Sequence, residues 1–235
     1  MIRLQGVSKV FGDGPGRVAA LSDISFEVGK GEFVVLAGGS GAGKTTLLRM
    51  LYREQLPTEG DVEVAGFDVV NLSRAEVPRL RRALGIVFQD AKLLAGHTVF
   101  ENVAFVLRVI GTPRREITPR AFQALKAVGL SSRAQAYPHQ LSQGEAQRAS
   151  LARAIAKSPV LLLADEPTGS LDEDMAAEIL DVVKDIWTRG TTVLFATHQT
   201  RLVAELRRRT LRIQGGRLLK DEPATPAGGR PPGRG

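Results

Sequence analysis

A glycine-rich segment carries the spacing G-x-x-x-x-G-K-[ST], and it reads Gly38, Gly39, Ser40, Gly41, Ala42, Gly43, Lys44 and Thr45. Glycines let consecutive backbone N–H groups turn toward phosphate oxygens, and the helix that follows adds the positive end of its dipole. We expect Lys44 to contact the β- and γ-phosphates and the Thr45 hydroxyl to ligate Mg²⁺, with Thr46 beside them. The segment therefore predicts a binding site for a nucleoside triphosphate.

Two adjacent carboxylates, Asp165 and Glu166, end a strongly apolar stretch at residues 160–164. Acids at the carboxyl end of a buried strand point into the crevice where α/β proteins bind ligands. Asp165 is predicted to hold Mg²⁺ through water, and Glu166 is predicted to polarise an attacking water as general base. A solvated acidic strand end is the alternative, and the phosphate loop earlier in the chain favours the catalytic interpretation.

Strands and helices are predicted around these motifs in an order that positions both of them. Four strands are expected at residues 2–4, 24–28, 33–37 and 62–64, with a helix over 44–53 after the glycine-rich loop. A further helix is expected from Ser73, because Ser73 and Glu76 have capping-box spacing, and a strand follows at 85–88. The apolar strands 160–164 and 191–196 flank a helix at 175–188, which favours a parallel sheet covered on both faces.

The section from about 90 to 157 contains no convincing strand and is predicted to be a helical insertion. Thr98 and Glu101 form a second possible capping box. Behind it, apolar residues fall on one helical face, and they are Val99, Val103, Val106, Leu107 and Ile110. Gly111, Thr112 and Pro113 end this helix. The sequence thus predicts one domain over 1–220 that contains the insertion.

Composition limits the classes of protein that this chain of 235 residues could be. It has no cysteine, which excludes a disulfide framework and thiolate metal sites and makes the cytosol the expected compartment. Neither an apolar signal sequence nor an apolar run long enough to span a bilayer is visible. The net charge of +7 favours anionic neighbours without choosing among them, and the segment 221–235, rich in proline and glycine, is predicted to be a disordered tail.

Further residues, each unremarkable alone, resemble the ABC (ATP-binding cassette) ATPases when taken in chain order. The stretch Leu141, Ser142, Gln143, Gly144 and Glu145 resembles the signature LSGGQ or LSGGE, and it opens a helix that suits a γ-phosphate. Gln89 matches the Q-loop glutamine, Asp172 matches the D-loop aspartate after Ser170 and Leu171, and His198 matches the switch histidine. Phe11 takes the place of the aromatic residue that stacks on adenine. The resemblance runs from Met1 to about Lys220.

The resemblance implies an α/β fold with a P-loop NTPase (RecA-like) core and parallel sheet, an N-terminal antiparallel β subdomain and a helical insertion. It implies ATP and Mg²⁺ as cofactors, with Glu166, His198 and Gln89 as catalytic residues and Gln89 as a further metal ligand. It also implies an ATP-bound homodimer, in which Ser142, Gln143, Gly144, Glu145 and Asp172 face the ATP of the other subunit. Gln143 departs from the usual glycine of the signature, which puts the rate of hydrolysis in question.

Within the family, three segments resemble the cell-division ATP-binding subfamily FtsE: residues 51–60, 81–90 and 98–105. That resemblance implies an integral membrane partner of the FtsX type and a peripheral place at the cytoplasmic face of the membrane. The partner would insert a short helix beside Gln89, into a groove formed largely by residues 91–105, with Leu93, Leu94, Phe100 and Phe105 offered to it.

Other interpretations of the cassette stay open at this level. Lipoprotein-release and macrolide-export ATPases share much of the same pattern. A DNA-associated ATPase is less favoured, because no sustained heptads separate Lys44 from Leu141, and no nucleic acid partner is expected. A non-hydrolysing ATP-binding scaffold is disfavoured because Glu166 and His198 are both present.

Overall fold

A computed structural model describes residues 1–225, in which ten strands and seven α-helices follow one another. They are β1 (Ile2–Phe11), β2 (Val18–Val28), β3 (Phe33–Ala37), α1 (Lys44–Leu51), β4 (Glu59–Val64), β5 (Phe67–Asp68), α2 (Val77–Ala83), β6 (Leu84–Val87), α3 (Val99–Val109), α4 (Arg114–Ala127), α5 (Gln143–Ile155), β7 (Leu161–Asp165), α6 (Glu173–Thr188), β8 (Thr192–Thr197), α7 (Thr200–Leu206), β9 (Arg209–Gln214) and β10 (Arg217–Glu222). Short 3₁₀ turns lie at Gly14–Gly16, Ser131–Arg133 and Pro138–Gln140.

Two sheets divide these strands between them. The first has the order β2-β1-β4-β5 and is antiparallel. The second has the order β10-β9-β3-β8-β7-β6; its five strands from β9 to β6 run parallel, and β10 alone is antiparallel to its neighbour. The predicted fold class is confirmed: a parallel α/β core, an N-terminal antiparallel sheet and a helical insertion.

Strand β3 lies at the centre of the molecule and is buried on both faces. Its alternate side chains serve two different cores, because successive residues of a strand point to opposite sides of the sheet. Phe33 and Val35 pack with the helical insertion, α6 and α7. Val34 and Leu36 pack with α1 and the antiparallel sheet. All five residues of this strand are therefore apolar because each of its two faces packs against a hydrophobic core.

The section 90–157, which lies within the described residues, contains three α-helices and no strand. Helix α3 begins with a complete capping box, since Glu101 N–H donates to the Thr98 hydroxyl oxygen and Thr98 N–H donates to the Glu101 carboxylate. Phe100 packs against Phe122 of α4, with their ring centroids 5.0 Å apart. Phe105 points outward and is 43% exposed. The expectation that Phe100 belongs to a docking groove is therefore wrong, because the helix face that carries it is covered by α4.

Several boundaries differ from the prediction: β1 continues to Phe11 and β2 begins at Val18, so both strands are longer than expected. Helix α2 begins at Val77 rather than Ser73: the Glu76 carboxylate accepts hydrogen bonds from Ser73 N–H and the Ser73 hydroxyl, but that hydroxyl caps no backbone N–H. Asp221 and Glu222, assigned to the tail by composition, lie in β10, because their carboxylates pair with arginines of β9. The remainder of the predicted tail, from 226 onward, lies outside the described residues.

Among the helices of residues 1–225, none has the length and apolar content needed to cross a membrane.

The loop before α3 is held by one buried side chain, Asn102. Its carboxamide oxygen accepts from Leu94 N–H at 2.7 Å, and its Nδ2 donates to the carbonyls of Leu94, His97 and Thr98. We expect Asn102→Ala to lower the free energy of unfolding by about 1–3 kcal/mol, because buried backbone groups lose their partner. Urea denaturation measures this. Gln123→Ala, at an exposed position of α4, is the control, and equal losses for both variants would contradict this role.

Candidate active site

The glycine-rich loop joins β3 to α1 and leaves no room for side chains at two of its positions. A Cβ on Gly38 would lie 2.4 Å from the Ile213 carbonyl oxygen, and one on Gly43 would lie 2.6 Å from Leu21 Cδ2. Gly43 also has a φ of 106°, in the region that glycine tolerates best. The loop is therefore pressed between β2 and β9. Its tip, Gly39, Ser40 and Gly41, is exposed, while Ala42 is buried and Thr46 is half-buried.

Lys44, the first residue of α1, is buried and uses each of its three ammonium protons. Its Nζ donates to the carbonyl oxygens of Gly38 at 2.7 Å and Gly39 at 3.0 Å, and lies 3.1 Å from Glu166 Oε1. Lys44 and Glu166 are only 6% and 7% exposed. Charges this deeply buried must be paired, and here the Lys44 ammonium and the Glu166 carboxylate neutralise each other.

His198 continues this chain of contacts on the other side of Glu166. Its Nδ1 lies 2.9 Å from Glu166 Oε2, and its backbone N–H donates to the same oxygen at 3.2 Å. Glu166 has a φ of 48°, which is unusual for a residue with a side chain. Its N–H donates to the Ala196 carbonyl and its own carbonyl accepts from Gly169 N–H, each at 3.0 Å. These bonds fix a sharp turn that aims the carboxylate between Lys44 and His198.

Asp165, one residue earlier, is the acceptor for the Thr45 hydroxyl at 3.1 Å. Burial raises the pKa of the Asp165 carboxyl, and the neighbouring Glu166 carboxylate adds to this, while the Thr45 hydroxyl opposes it. A hydroxyl and a carboxylate oxygen at hydrogen-bond distance are the type of donors that Mg²⁺ takes. The residues present therefore fit a magnesium ion.

Gln89 lies near Glu166, and Phe11 lies at the end of a hairpin whose strand β2 contacts the glycine-rich loop. A Cβ on Gly169 would be 3.5 Å from Glu166 Cβ and 3.8 Å from Gln89 Nε2, so Gln89 and Glu166 flank the same glycine. Phe11 is exposed at the end of the β1–β2 hairpin, where it pairs with Val18, close to the part of β2 that touches the glycine-rich loop. Its ring is accessible to a stacking partner, with Lys9 Nζ 5.0 Å from the ring centroid.

The signature segment forms the start of α5. The Ser142 hydroxyl accepts from Glu145 N–H, and the Glu145 carboxylate accepts from Ser142 N–H and pairs with Arg133. These contacts hold the pKa of Glu145 below its usual value. The hydrogen bond from Ser142 N–H has the largest effect, and the bond from Arg133 has the next largest. Ser142 and Gln143 are exposed, so the start of α5 reaches the surface, whereas Gly144 is buried.

Gly144 and Asp172 bring the signature against α6. A Cβ on Gly144 would lie 3.0 Å from Met175 Sδ, so α5 and α6 meet closely at this glycine. Asp172 caps α6 by accepting from Met175 N–H at 2.9 Å. Within residues 1–225, no hydrogen bond or salt bridge joins Ser142, Gln143, Glu145 or Asp172 to the Lys44 site. The predicted residues therefore form two groups, one around Lys44 and one around Ser142.

Two residues of α5, Gln147 and Arg153, were not predicted from the sequence. Gln147 Nε2 donates to the Phe88 carbonyl at 2.9 Å, and Arg153 donates to the carbonyls of Ala91 at 2.8 Å and Lys92 at 2.6 Å. They fasten the segment around Gln89 to the signature helix. Gln147 follows Gly144 at helical spacing on the buried face, and a buried polar residue on an apolar face signals a specific partner.

Known proteins match this arrangement. A sequence model of the family described as ABC transporter matches residues 21–169. Over 222 residues the chain is 45% identical to "Cell division ATP-binding protein FtsE" of Streptococcus pneumoniae, covering 94% of this chain and 95% of that protein. The protein of the same name from Mycobacterium tuberculosis is 47% identical over 203 residues, covering 86% and 88%.

Among solved structures, a dimeric, post-hydrolysis state of the ATP-binding cassette MJ0796 bound to ADP and Pi is similar to this chain. The TM-score is 0.86 at 33% identity, covering 97% of this chain and 100% of that one. The family match spans the glycine-rich loop, Gln89, the signature segment and the acidic end of β7. In the structure Gln89 and the acidic end of β7 lie at the Lys44 site, while the signature segment forms the second group around Ser142. The chain therefore belongs to the ABC transporter family and is an ATP-binding, ATP-hydrolysing cassette.

Proposed function

We propose that this chain is the ATPase subunit of an FtsE–FtsX-type membrane complex that acts in cell division. The near full-length similarity to proteins named for cell division supports the process. The single observation that carries the enzymatic role is the series of contacts Lys44–Glu166–His198 beside the glycine-rich loop, in which Lys44 and Glu166 are buried and His198 is exposed. It places a cation for phosphate and a carboxylate for water in contact with each other.

Hydrolysis begins when ATP binds and its phosphate oxygens take the place of the present hydrogen-bond partners of Lys44. The β- and γ-phosphate oxygens replace the Gly38 and Gly39 carbonyls, and they draw Lys44 away from Glu166. Glu166 is then free to accept a proton from the water that attacks the γ-phosphorus, while the bond from the γ-phosphorus to the β-phosphate oxygen breaks and ADP leaves. His198 holds the second oxygen of Glu166 in place. Because Lys44 and Glu166 are buried, the charge interactions that they make are stronger than they would be in water.

Mg²⁺ would be held by the Thr45 hydroxyl, Asp165 and the Gln89 side chain, and it would neutralise charge on the phosphates when bound. The exposed ring of Phe11 would stack on adenine, since it lies at the hairpin end beside the loop.

Glu166→Gln should retain ATP binding and lose about 10²–10⁴-fold in kcat, because the amide keeps the shape of the side chain but accepts no proton. Steady-state phosphate release and equilibrium ATP binding measure the two properties. Glu63→Gln, the same change at an exposed position of β4, is the control and should leave kcat unchanged. A Glu166→Gln protein with the wild-type turnover number would remove Glu166 from the mechanism.

We further propose that two copies of the chain bind head to tail around two ATP molecules. Ser142 and Gln143 are exposed and make no hydrogen bond or salt bridge with the Lys44 site in the described chain, so the start of α5 is accessible to the γ-phosphate held by a second copy. The dimeric arrangement of the similar MJ0796 cassette supports this assembly.

Glu166→Gln protein should therefore become a dimer when ATP and Mg²⁺ are added, since slow hydrolysis preserves the shared nucleotides. Light scattering coupled to size exclusion measures the mass. Adding Ser142→Arg to this variant should keep it monomeric, because the new side chain crowds the first turn of α5. A monomer of Glu166→Gln at saturating ATP would contradict the sandwich.

The membrane partner is proposed to dock beside Gln89, which would place the chain at the cytoplasmic face of the membrane. A surface cavity of about 300 Å³ lies there, and its apolar lining includes Phe88, Leu94, Phe105 and Val106. Leu94 and Phe105 are 37% and 43% exposed. Exposed apolar side chains that cluster at a concave surface fit the insertion of a short helix from an FtsX-type protein. This cavity and its lining are called the docking groove below.

Leu94→Glu should abolish co-purification with an FtsX-type membrane protein and leave ATP binding unchanged. The substitution places an unpaired charge in the apolar part of the docking groove, whereas the backbone bonds of Leu94 to Asn102 are retained. Leu219→Glu is the matched control, at an exposed leucine of β10 outside the groove. Wild-type recovery of the membrane protein with Leu94→Glu would show that the groove is assigned wrongly.

A further inference from the structure

The docking groove is lined by three cationic side chains as well as by apolar ones. They are Lys92, Arg153 and Lys157, and no carboxylate lies among the residues that line the cavity. Arg153 and Lys157 come from α5 and the turn after it, and Lys92 comes from the loop that follows Gln89. The groove thus combines apolar surface with an excess of positive charge.

Only neutral groups satisfy these three cations. Lys92 Nζ lies 4.5 Å from the centroid of the Phe88 ring, and Lys157 Nζ donates to the Arg81 carbonyl at 2.6 Å. Arg153 donates to two loop carbonyls, as described above. Among the salt bridges formed by residues 1–225, none includes any of the three. Their positive charge therefore remains uncompensated within the described chain.

Lys157 and Arg153 are also partly buried, which destabilises their charged forms. Desolvation lowers the pKa of Lys157 to about 8 and lowers the pKa of Arg153, with no carboxylate acting on either one. A carboxylate brought in by a partner would offset this cost, and the pair would be shielded from water and salt by the surrounding apolar side chains. Attraction of this kind steers association and selects among partners.

We propose that the docking groove recognises an acidic amphipathic helix, whose apolar side chains fill the space between Leu94 and Phe105 while one carboxylate pairs with Lys157 and Lys92. Arg153 keeps its loop carbonyls and contributes only its charge. This inference rests on the proposed membrane partner and adds the chemistry of the segment that docks. An anionic lipid headgroup would match the charge but would leave the apolar lining uncovered, so a protein segment fits the groove better.

Designed peptides of about four helical turns test this directly on the full chain. One carries leucines on a single face and one Glu beside them, and two matched peptides carry Gln or Lys in place of that Glu. Fluorescence anisotropy should show the Glu peptide binding about 10-fold more tightly than the Gln peptide, with the Lys peptide weakest. Lys157→Met should remove that preference, Lys157→Arg should keep it, and Lys126→Met, at an exposed lysine of α4, should leave it unchanged.

Equal affinity for the Glu and Gln peptides would overturn the proposal. So would a loss of preference in Lys126→Met as large as that in Lys157→Met. Phosphatidylglycerol vesicles that bind in a Lys157-dependent manner and displace the Glu peptide would assign the positive charge to lipid instead. Equal ATP binding by wild type and the three lysine variants shows that each is folded.

Co-purification with the FtsX-type protein separates this proposal from the one on which it rests. Lys157→Met should reduce recovery of the membrane protein, and Leu94→Glu should abolish it. If Leu94→Glu abolishes recovery and Lys157→Met does not, the groove stands and its preference for acid is wrong. If neither variant reduces recovery, the docking groove itself is wrong.

Discussion

Lys44 and Glu166 form a buried ion pair that the arrangement of the parallel sheet makes possible. Lys44 follows β3, Glu166 follows β7 and His198 follows β8, and β8 lies between the other two strands. Because the three strands run parallel, their carboxyl ends lie at the same edge, and because they are neighbours the three side chains come into contact there. A buried ion pair is weak evidence for stability, because desolvation offsets its attraction. Its value here is that a phosphate can replace Glu166 as the partner of Lys44.

Helix α5 connects the signature segment at its start to the loop around Gln89. Its first turn presents Ser142 outward, and Gly144 brings it against Met175 of α6, with Arg148 and Glu178 pairing farther along the same two helices. Its later residues hold the loop after Gln89, which forms one wall of the docking groove. A shift of α5 toward a nucleotide on a second copy would therefore move that wall as well. A single helix of 13 residues is therefore long enough to couple the signature segment to the docking groove.

The sequence could predict those parts of the fold that are decided by short-range patterns. Strand β3 occupies the predicted residues because five consecutive apolar side chains are buried on both faces. Two capping boxes with the same spacing gave different results: Thr98 forms a complete one, while Ser73 forms half, and its helix begins only beside Pro78, which is favoured in a first turn. Local spacing indicates a turn, but the surrounding chain decides whether a helix starts there.

Features that depend on residues far apart in the chain could not be predicted. Arg209 and Arg212 extend β10 to Glu222, although proline and glycine dominate the composition of that region. The packing of Phe100 depends on Phe122 of another helix, so helical spacing around Phe100 alone left its environment open. The positive charge of the docking groove has the same origin, because Lys92 and Lys157 meet only when α5 packs against the loop after Gln89.

The backbone of Glu166 shows how the sheet supports its chemistry. A non-glycine residue in the left-handed region costs about 1–3 kcal/mol unless the surroundings impose it. Glycine would relieve this strain, but it would remove the carboxylate that contacts Lys44 and His198. Hydrogen bonds to the Ala196 carbonyl and from Gly169 N–H hold the turn in place, and Ala196 lies in β8, whose next residues lead to His198. Strand β8 thus imposes the strained conformation of Glu166 and also supplies the histidine that orients its carboxylate.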